Sequence, residues 1–543
     1  MCSRKGLVVV HDAVAKVRDT ANRAYGSASR TARRVRGRAR SCARAAGRRW
    51  RAAAPQQRQT VRLSAASAAL GLVVALVAVA AAGPWDSGQR TAERVWAARQ
   101  GAGSGGDHTP GGGPAVLTAP QVLAAAGPTA RRDGGEGGPQ SGSGVTRPEQ
   151  VPPPTASALA DTLEPLIEDG ALGTVRHASV VDAVTGRQLF SKGAFEVSAP
   201  ASTVKLATAV AALKARGDTY RIATRAVGTG DRVTLVGGGD PTLTEGQVED
   251  LAEEAARALE KKGVEDVRVR YDTSLYEGSE QHPIAPNENI ARVTPLMVQE
   301  GRSDGSDHGP APRAADPARE AAALFADRLR DAGVTVEGEP KKRTAAQEAH
   351  PLAVHRSQPL SALVERMLTN SDNDIAEALA RQTALAEGAD ASFAGAGRAV
   401  EGILERLGLP VEGARFEDGS GLDRGDRVSP ALLTRLLTLA ADPHRPGLRT
   451  VLTGLPVAGF SGTLDDRYGG ERGGPGAGLV RAKTGTLTGV NTLAGTVVDA
   501  DGRMLAFAFM TSGAPGADAA EKSLDRMAST LANCGCRDSP SAG

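Results

Sequence analysis

The hydrophobic pattern has one long uncharged run close to the start of the chain. No Asp, Glu, Lys or Arg lies between Arg62 and Asp86, and the 23 residues 63–85 are mostly Ala, Leu and Val. At about 1.5 Å per residue, a helix of this length crosses the ~30 Å hydrocarbon core of a bilayer. We therefore expect residues 63–85 to form a transmembrane helix or signal anchor.

The next segment, residues 86–153, has no hydrophobic period. It is rich in Gly, Pro, Ser and Ala, and three consecutive prolines occupy positions 152–154 at its end. A segment of this composition buries too little apolar surface to offset the entropy that ordering would cost. We expect a disordered tether between the membrane and a folded body.

Regular hydrophobic periods begin at about residue 154, and they predict a mixed α/β body. Helices are expected over 156–172, 246–261 and 318–331, and strands over 177–182, 188–191, 233–236, 267–271 and 490–498. We divide this body into catalytic segments over 154–216 and 359–533, an inserted α/β module over 217–358, and a C-terminal tail over 534–543.

Charge is distributed unevenly. Residues 1–62 carry 17 Lys and Arg against two Asp, whereas the whole chain has a formal charge of only +3. Because a basic flank before a hydrophobic span stays in the cytoplasm, we expect residues 1–62 to form a basic cytoplasmic tail and the body to be extracytoplasmic.

Two alternatives to this topology stay open. The small residues 79–83 would also suit cleavage of the span as a signal peptide, which would release the body as a secreted protein. The basic tail could also contact nucleic acid or anionic lipid. We favour a solvated tail that sets the orientation, and we expect no nucleic-acid partner.

Cysteine and histidine usage indicates neither a disulfide framework nor a metal site. A bridge between Cys534 and Cys536 is conceivable but closes a very tight loop. The eight histidines show no H-E-x-x-H or similar ligand spacing. We expect no metal and no other cofactor.

The first candidate for chemistry is Ser202-Thr203-Val204-Lys205, at the start of an amphipathic helical pattern that follows Pro200. Side chains at positions i and i+3 share a helix face, so the Lys205 amine can reach the Ser202 hydroxyl. A serine becomes a good nucleophile when a neighbouring base accepts its proton, and burial lowers the pKa of a lysine enough for that role. An ordinary helix start with a serine cap and a solvated lysine would give the same letters, so the motif needs partners elsewhere.

The second candidate is Ser371-Asp372-Asn373, which lies between two helical patterns and is therefore expected on a short interhelical loop. Ser371 is suited to relaying a proton, and Asn373 to holding a substrate amide. Residues of these types also commonly cap helices.

The third candidate is Lys483-Thr484-Gly485, followed by Thr486, between two strand-like runs. On an edge strand it would let an extended peptide pair alongside. Lys483, Thr484 and Thr486 offer charge and hydroxyls to a carboxylate, while Gly485 leaves room for substrate to approach the backbone. The alternative is a simple hairpin turn.

Together these motifs spell S-x-x-K, S-x-N and K-T-G in the order that marks penicillin-recognising serine acyl-transferases. Residues 155–530 resemble, more narrowly, the D-alanyl-D-alanine carboxypeptidase/endopeptidase family of the penicillin-binding protein 4 type, peptidase family S13. The segments that carry this resemblance are 199–205, 237–243, 371–377, 418–422 and 462–464, of which Gly237–Leu243 and Asp418–Leu422 discriminate best.

The resemblance implies an antiparallel sheet flanked by helices, a helical lobe that carries the first two motifs, and an insertion between them. It implies an acyl-enzyme on Ser202 formed from peptidoglycan stem peptides or β-lactams, with Lys205 as general base. Ser371 and Asn373 would then complete the proton relay and the positioning of substrate.

By the same resemblance Lys483, Thr484 and Thr486 bind the terminal carboxylate. The backbone N–H groups of Ser202 and Thr486 form the oxyanion hole.

Two rival functions remain open. A serine β-lactamase shares the three motifs, although no obvious E-x-x-L-N segment follows Ser371. A membrane-anchored, non-catalytic penicillin-binding sensor is the second, although the intact nucleophile, base and K-T-G motif favour an enzyme.

Overall fold

The computed structural model describes residues 151–285, 287–469 and 474–536. The expectations for the tail, the span and nearly all of the tether, residues 1–62, 63–85 and 86–150, lie outside the described residues, as do positions 537–543 of the C-terminal tail. Among the helices that are described, none has the length and apolarity needed to cross a membrane.

The secondary structure alternates between helices and strands. The helices are α1 (Ala156–Ile167), α2 (Lys205–Arg216), α3 (Glu245–Glu260), α4 (Pro317–Asp331), α5 (Leu360–Asn370), α6 (Asn373–Ala386), α7 (Phe393–Arg406), α8 (Pro430–Ala441), α9 (Thr450–Thr453) and α10 (Ala517–Ala532). The strands are β1 (Val175–Asp182), β2 (Gln188–Lys192), β3 (Ala223–Thr229), β4 (Arg232–Val236), β5 (Asp266–Asp272), β6 (Thr335–Val336), β7 (Lys341–Lys342), β8 (His350–Arg356), β9 (Arg481–Leu487), β10 (Val490–Val498) and β11 (Met504–Ser512).

A five-stranded antiparallel sheet in the order β2-β1-β11-β10-β9 forms the centre of the catalytic body. Alternate residues of β11 point to opposite faces, as the strand period requires. Phe507 and Phe509 pack with α1 and α10 on one face, whereas Ala508 and Met510 pack with α2 and α8 on the other. Both faces are therefore covered by helices, and β9 is left at an edge, as predicted for the K-T-G strand.

A helical lobe built from α2, α5, α6, α7 and α8 packs against the second face. Every residue of α2 from Lys205 to Leu213 is buried, and several of them are small, among them Ala207, Ala209 and Ala211. Small side chains let neighbouring backbones approach closely, so the helix that starts beside the first motif is held in the middle of the lobe.

Residues 223–356 form a second sheet in the order β6-β5-β4-β3-β8, with β7 beside β5. Helices α3 and α4 cover it with an apolar cluster that includes Leu251, Leu259, Phe325 and Leu329. The strands and helices predicted inside the inserted module are all present, although its predicted limits of 217 and 358 stay predictions.

Two local predictions need correction. The first helix ends at Ile167, and a separate 3-10 turn covers Gly170–Leu172, because the Asp169 side chain caps a new turn at this point. The alternative of a simple hairpin turn at K-T-G is wrong, since the motif lies within β9 and its backbone pairs with β10 as far as Leu487.

The sulfur atoms of Cys534 and Cys536 lie against each other at the end of the described chain, two positions apart in sequence. The expectation that the protein has no disulfide framework stays a prediction.

Candidate active site

Ser202 lies in the 3-10 turn Ala201–Val204, which leads directly into α2. Lys205 Nζ is 2.9 Å from Ser202 Oγ, so the predicted approach of i and i+3 side chains is confirmed. Ala201, immediately before the serine, has a φ of 47°, a left-handed conformation that costs energy in a residue with a side chain. The turn is therefore held in place by its surroundings.

The Lys205 amine is fully buried and donates three hydrogen bonds. Its acceptors are Ser202 Oγ, Asn373 Oδ1 at 2.7 Å and the Ser420 carbonyl at 2.5 Å. Burial lowers the pKa of Lys205 to about 8, although the charge of Asp418 and other buried acids opposes this shift. A lysine with this pKa is partly neutral near pH 7, as a general base must be.

Ser371 ends α5 in a left-handed conformation, with φ 57° and ψ 38°. Lys483 Nζ donates to Ser371 Oγ and to the Thr484 carbonyl, both at 2.8 Å. Burial, reinforced by the nearby Lys205, holds the pKa of Lys483 well below its usual value. Lys205 and Lys483 thus each bind a side chain of the second motif, Asn373 and Ser371 respectively.

Asn373 is the first residue of α6, and Asp372 caps that helix. Asn373 Oδ1 accepts a hydrogen bond from Lys205, while Asn373 Nδ2 donates to the backbone carbonyl of Asn289 at 2.9 Å. Asn289 belongs to the inserted module and was missed by the sequence analysis. No signal marked it, because it lies in an irregular segment with no motif.

Gly485 is needed for contacts within the protein. A Cβ at this position would lie 2.2 Å from Thr492 Oγ1, 2.8 Å from the Pro200 carbonyl and 3.1 Å from the Ser202 nitrogen. The glycine therefore lets β9 approach the nucleophile turn. This differs from the predicted reason, which was access for substrate.

The hydroxyls of β9 have partners that the sequence did not indicate. Thr484 Oγ1 is 2.8 Å from Thr463 Oγ1. Thr486 donates its hydroxyl to Glu521 Oε1 at 2.9 Å. Arg467 lies beside this carboxylate, 3.8 Å from it, and forms a closer ion pair at 2.6 Å with Asp525.

Glu521 was also missed. Apolar residues at 524, 527, 528 and 531 have the spacing of an amphipathic helix, so α10 could have been predicted. Nothing in the sequence indicates that this helix faces the K-T-G strand.

These side chains surround a cavity of about 440 Å³. Its lining includes Ser202, Ser371, Asn373, Thr484, Thr486 and Glu521. The structure thus brings the three motifs together around one space. The assignment of catalytic and binding roles to their residues stays a prediction.

Within the part of the chain that the structure describes, two buried clusters have side chains close enough to hold a metal ion: His282 with Glu377 and Asp418, and Glu300 with Asp372 and Asp374. Each also contains arginine. Arg381 lies 3.7 Å from Glu377, Arg302 lies 2.7 Å from Glu300, and Arg313 lies 3.0 Å from Asp374. Because guanidinium groups supply counter-charge, neither cluster requires a metal for charge balance. The expectation that the protein uses no metal or other cofactor stays a prediction.

A serine paired with a buried lysine, on a helix that packs against an antiparallel sheet with K-T-G at its edge, defines the class of penicillin-recognising serine acyl-transferases. Within this class, the chain matches the model of the D-Ala-D-Ala carboxypeptidase 3 (S13) family over residues 159–308 and 301–534. The chain belongs to this family. The predicted family, and the prediction that the chain is a peptidase, are confirmed.

Similar proteins have names that agree with this assignment. The chain is 33% identical over 417 residues to carboxypeptidase DacB of Mycolicibacterium smegmatis, covering 71% of this chain and 86% of that one. It is 30% identical over 494 residues to a D-alanyl-D-alanine carboxypeptidase of Actinomadura sp. strain R39, covering 71% of this chain and 89% of that one.

Solved structures show the same fold. Penicillin-binding protein 4 of Haemophilus influenzae superimposes with a TM-score of 0.57 at 23% identity, covering 69% of this chain and 99% of that one. A complex of that protein with a β-lactam superimposes with a TM-score of 0.52 at 26% identity, covering 66% and 94% of the two chains. The predicted mixed α/β fold with antiparallel sheets and helices is confirmed.

Proposed function

We propose that the protein is a serine D-alanyl-D-alanine carboxypeptidase/endopeptidase that cleaves peptidoglycan stem peptides through an acyl-enzyme on Ser202. The observation that carries the proposal is the 2.9 Å approach of Lys205 Nζ to Ser202 Oγ, at a lysine whose pKa burial lowers to about 8. The names of the family and of the relatives support the choice of a D-Ala-D-Ala bond as substrate.

In the acylation step, neutral Lys205 accepts the proton of the Ser202 hydroxyl as Oγ bonds to the carbonyl carbon of the penultimate D-alanine. The negative oxygen that develops is stabilised by the backbone N–H groups of Ser202 and Thr486. The C–N bond then breaks, and the terminal D-alanine leaves as an amine that takes up the proton. Lys483 and Ser371, 2.8 Å apart, provide a path for this transfer. Water afterwards hydrolyses the ester and restores Ser202.

Substrate would lie along the exposed edge of β9. Lys483, Thr484 and Thr486 bind its terminal carboxylate in this scheme. Asn373 holds its amide from the opposite side of the cavity.

We further propose that β-lactams acylate the same serine. The β-lactam complex of the Haemophilus influenzae protein supports this at the level of the fold. The rival β-lactamase predicts rapid release of hydrolysed penicillin, whereas a carboxypeptidase holds the adduct.

The cellular location is proposed from sequence alone. We propose that residues 63–85 anchor the protein in the cell membrane, with a cytoplasmic tail and an extracytoplasmic body facing the cell wall. Membrane fractionation of the full chain and of a chain lacking residues 1–85 tests this. If expression of the full chain instead gives a product in the culture medium that has been cleaved at residues 79–83, signal cleavage and secretion are established.

The proposed activity is tested by release of D-alanine from a pentapeptide that ends in D-Ala-D-Ala. The purified chain should release one D-alanine per peptide, and Ser202→Ala should release none. Digestion of cross-linked stem dimers by the same preparation then measures the endopeptidase share. A folded wild-type chain that releases no D-alanine and acylates with penicillin would favour the sensor.

A further inference from the structure

One motif from the sequence, Asp418-Gly419-Ser420-Gly421, has so far been described only through the Ser420 carbonyl that accepts from Lys205 and the charge of Asp418. In the structure Asp418 is buried, and its carboxylate holds the loop that follows it. Its Oδ1 accepts the backbone N–H groups of Ser420 at 2.9 Å and Gly421 at 2.5 Å, and its Oδ2 accepts that of Asp423 at 2.7 Å. This carboxylate therefore holds three backbone N–H groups of the loop, and Glu377 Oε1 accepts the N–H of Gly419 at 3.0 Å.

The loop is clamped against the nucleophile turn. Gly421 has a φ of +82°, and a Cβ at this position would lie 2.0 Å from the Ala201 carbonyl. Thr208 of α2 donates its hydroxyl to the Gly419 carbonyl at 2.7 Å. The Ser420 carbonyl is thereby placed 2.5 Å from Lys205 Nζ, where it accepts a hydrogen bond from the amine.

The other end of the chain of contacts lies in the inserted module. His282 Nε2 is 2.9 Å from Asp418 Oδ2, and both side chains are fully buried. The backbone N–H of Ile284 points at His282 Nδ1 at 3.3 Å, so Nδ1 accepts and Nε2 carries the proton that is donated to Asp418. The imidazole and the Phe393 ring pack edge to face, with their centroids 5.2 Å apart. The histidine is thus held in a fixed orientation.

We propose that His282 is a positioning residue through which the inserted module sets the place of Lys205. It fixes the Asp418 carboxylate, Asp418 fixes the loop, and the Ser420 carbonyl holds the lysine amine beside Ser202. The inference rests on the proposed function, because it takes Lys205 to be the base for acylation.

The test compares His282→Gln with His282→Leu. The glutamine amide can reach the position of the imidazole Nε2 and keep a donor to Asp418, whereas leucine fills similar space without one. His350→Leu is the matched control, since His350 is an exposed histidine of the same module, on β8. The measurement is the acylation of full-length protein by benzylpenicillin, resolved into the rate at saturation and the half-saturating concentration.

We expect His282→Leu to lower the saturated acylation rate by about 10²-fold, the usual scale for a misplaced catalytic group, with little change in the half-saturating concentration. His282→Gln should retain most of the wild-type rate, and His350→Leu all of it. A purely structural histidine would instead lower the melting temperature in both His282 variants and leave the rate of the folded fraction unchanged. Equal rates for wild type and folded His282→Leu would overturn the inference.

If His282→Leu does not fold, His282→Asn replaces it, because the shorter amide keeps polarity but does not reach Asp418. If folded His282→Asn is acylated at the wild-type rate, this result would also overturn the inference about His282. Failure of the proposed function is distinguishable, since the wild-type chain itself would then form no adduct.

Discussion

Lys205 is the residue on which the chemistry depends. Burial removes the amine from water, and its three hydrogen-bond acceptors replace only part of the lost hydration. The pKa of Lys205 therefore falls to about 8. Neighbouring acids prevent a larger fall. The three hydrogen bonds favour the charged amine and so oppose the effect of burial, and they also point the amine at Ser202.

The pH dependence of acylation follows from this pKa. Only the neutral amine accepts the Ser202 proton, so the acylation rate should rise as pH increases and reach half its maximum near pH 8. Stopped-flow measurements with a chromogenic β-lactam between pH 5 and 10 give this profile. Lys205→Arg, which stays protonated throughout, should lower the rate by about 10²- to 10⁴-fold at every pH. A rate that falls with rising pH through 8 would contradict the assignment of the base.

Glu521 places negative charge beside the proposed carboxylate site. It accepts the Thr486 hydroxyl, and Arg467 offsets only part of its charge because that guanidinium is paired more closely with Asp525. Glu521→Gln should lower KM for a peptide ending in a free carboxylate by about fivefold, equivalent to roughly 1 kcal/mol of repulsion, with kcat unchanged.

The control for this experiment is Asp518→Asn, an exposed acid in the first turn of the same helix. Steady-state kinetics with matched free-acid and amidated peptides separate the charge effect from a packing effect. An equal gain for both peptides would argue against a role for charge.

At the scale of elements, the site is assembled by close backbone contacts. The nucleophile turn meets β9 at Gly485 and the 418–423 loop at Gly421, and in both places a side chain would collide with backbone atoms. Glycines at these contacts explain why the motifs contain them.

Gly421→Ala should therefore be severe. The new Cβ would overlap the Ala201 carbonyl, and the positive φ adds strain, so we expect the free energy of unfolding to fall by about 2–4 kcal/mol. Gly246→Ala is the control, because that helical position has no neighbour within 4 Å and alanine there should add about 0.5–1 kcal/mol. Urea denaturation measures the free energy of unfolding of both variants. Equal stabilities would be inconsistent with a close contact between Gly421 and the Ala201 carbonyl.

Elements were more predictable from sequence than their meeting points. The helix at Lys205, the loop at Ser371 and the edge strand at Lys483 each leave a local pattern of capping, periodicity or turn residues. The contact between Asn373 and Asn289 joins residues 84 positions apart, and Asn289 has no periodic neighbours. Such a contact arises from tertiary packing, and a single sequence holds no local signal for it.

At the scale of the molecule, the inserted module is joined to the catalytic body through buried charge. Ala291 donates its backbone N–H to Asp374 Oδ1 at 2.9 Å, and Arg313 pairs with the same carboxylate at 3.0 Å. Glu300 lies between Arg302 and Arg366. The segment between β5 and α4 therefore forms part of the wall of the active site, and the module and the body depend on each other.

Breaking one of these pairs should be costly. Arg313→Met leaves the Asp374 carboxylate buried without its partner, and we expect the free energy of unfolding to fall by about 3–5 kcal/mol. Arg328→Met removes an ion pair to the exposed Asp331 and should cost under about 1 kcal/mol. Chemical denaturation followed by circular dichroism measures both, and a loss at Arg313 no larger than at Arg328 would refute the interpretation.

The proposed chemistry depends on Ser202 as the nucleophile of a penicillin-sensitive acyl-enzyme. Its most direct test is the intact mass of the purified protein with and without benzylpenicillin, for the wild type and for Ser202→Ala. We predict a persistent one-to-one adduct in the wild type that is absent from the mutant. A folded wild-type protein that forms no adduct, or a mutant that still forms one, would contradict the assignment of Ser202 as the nucleophile.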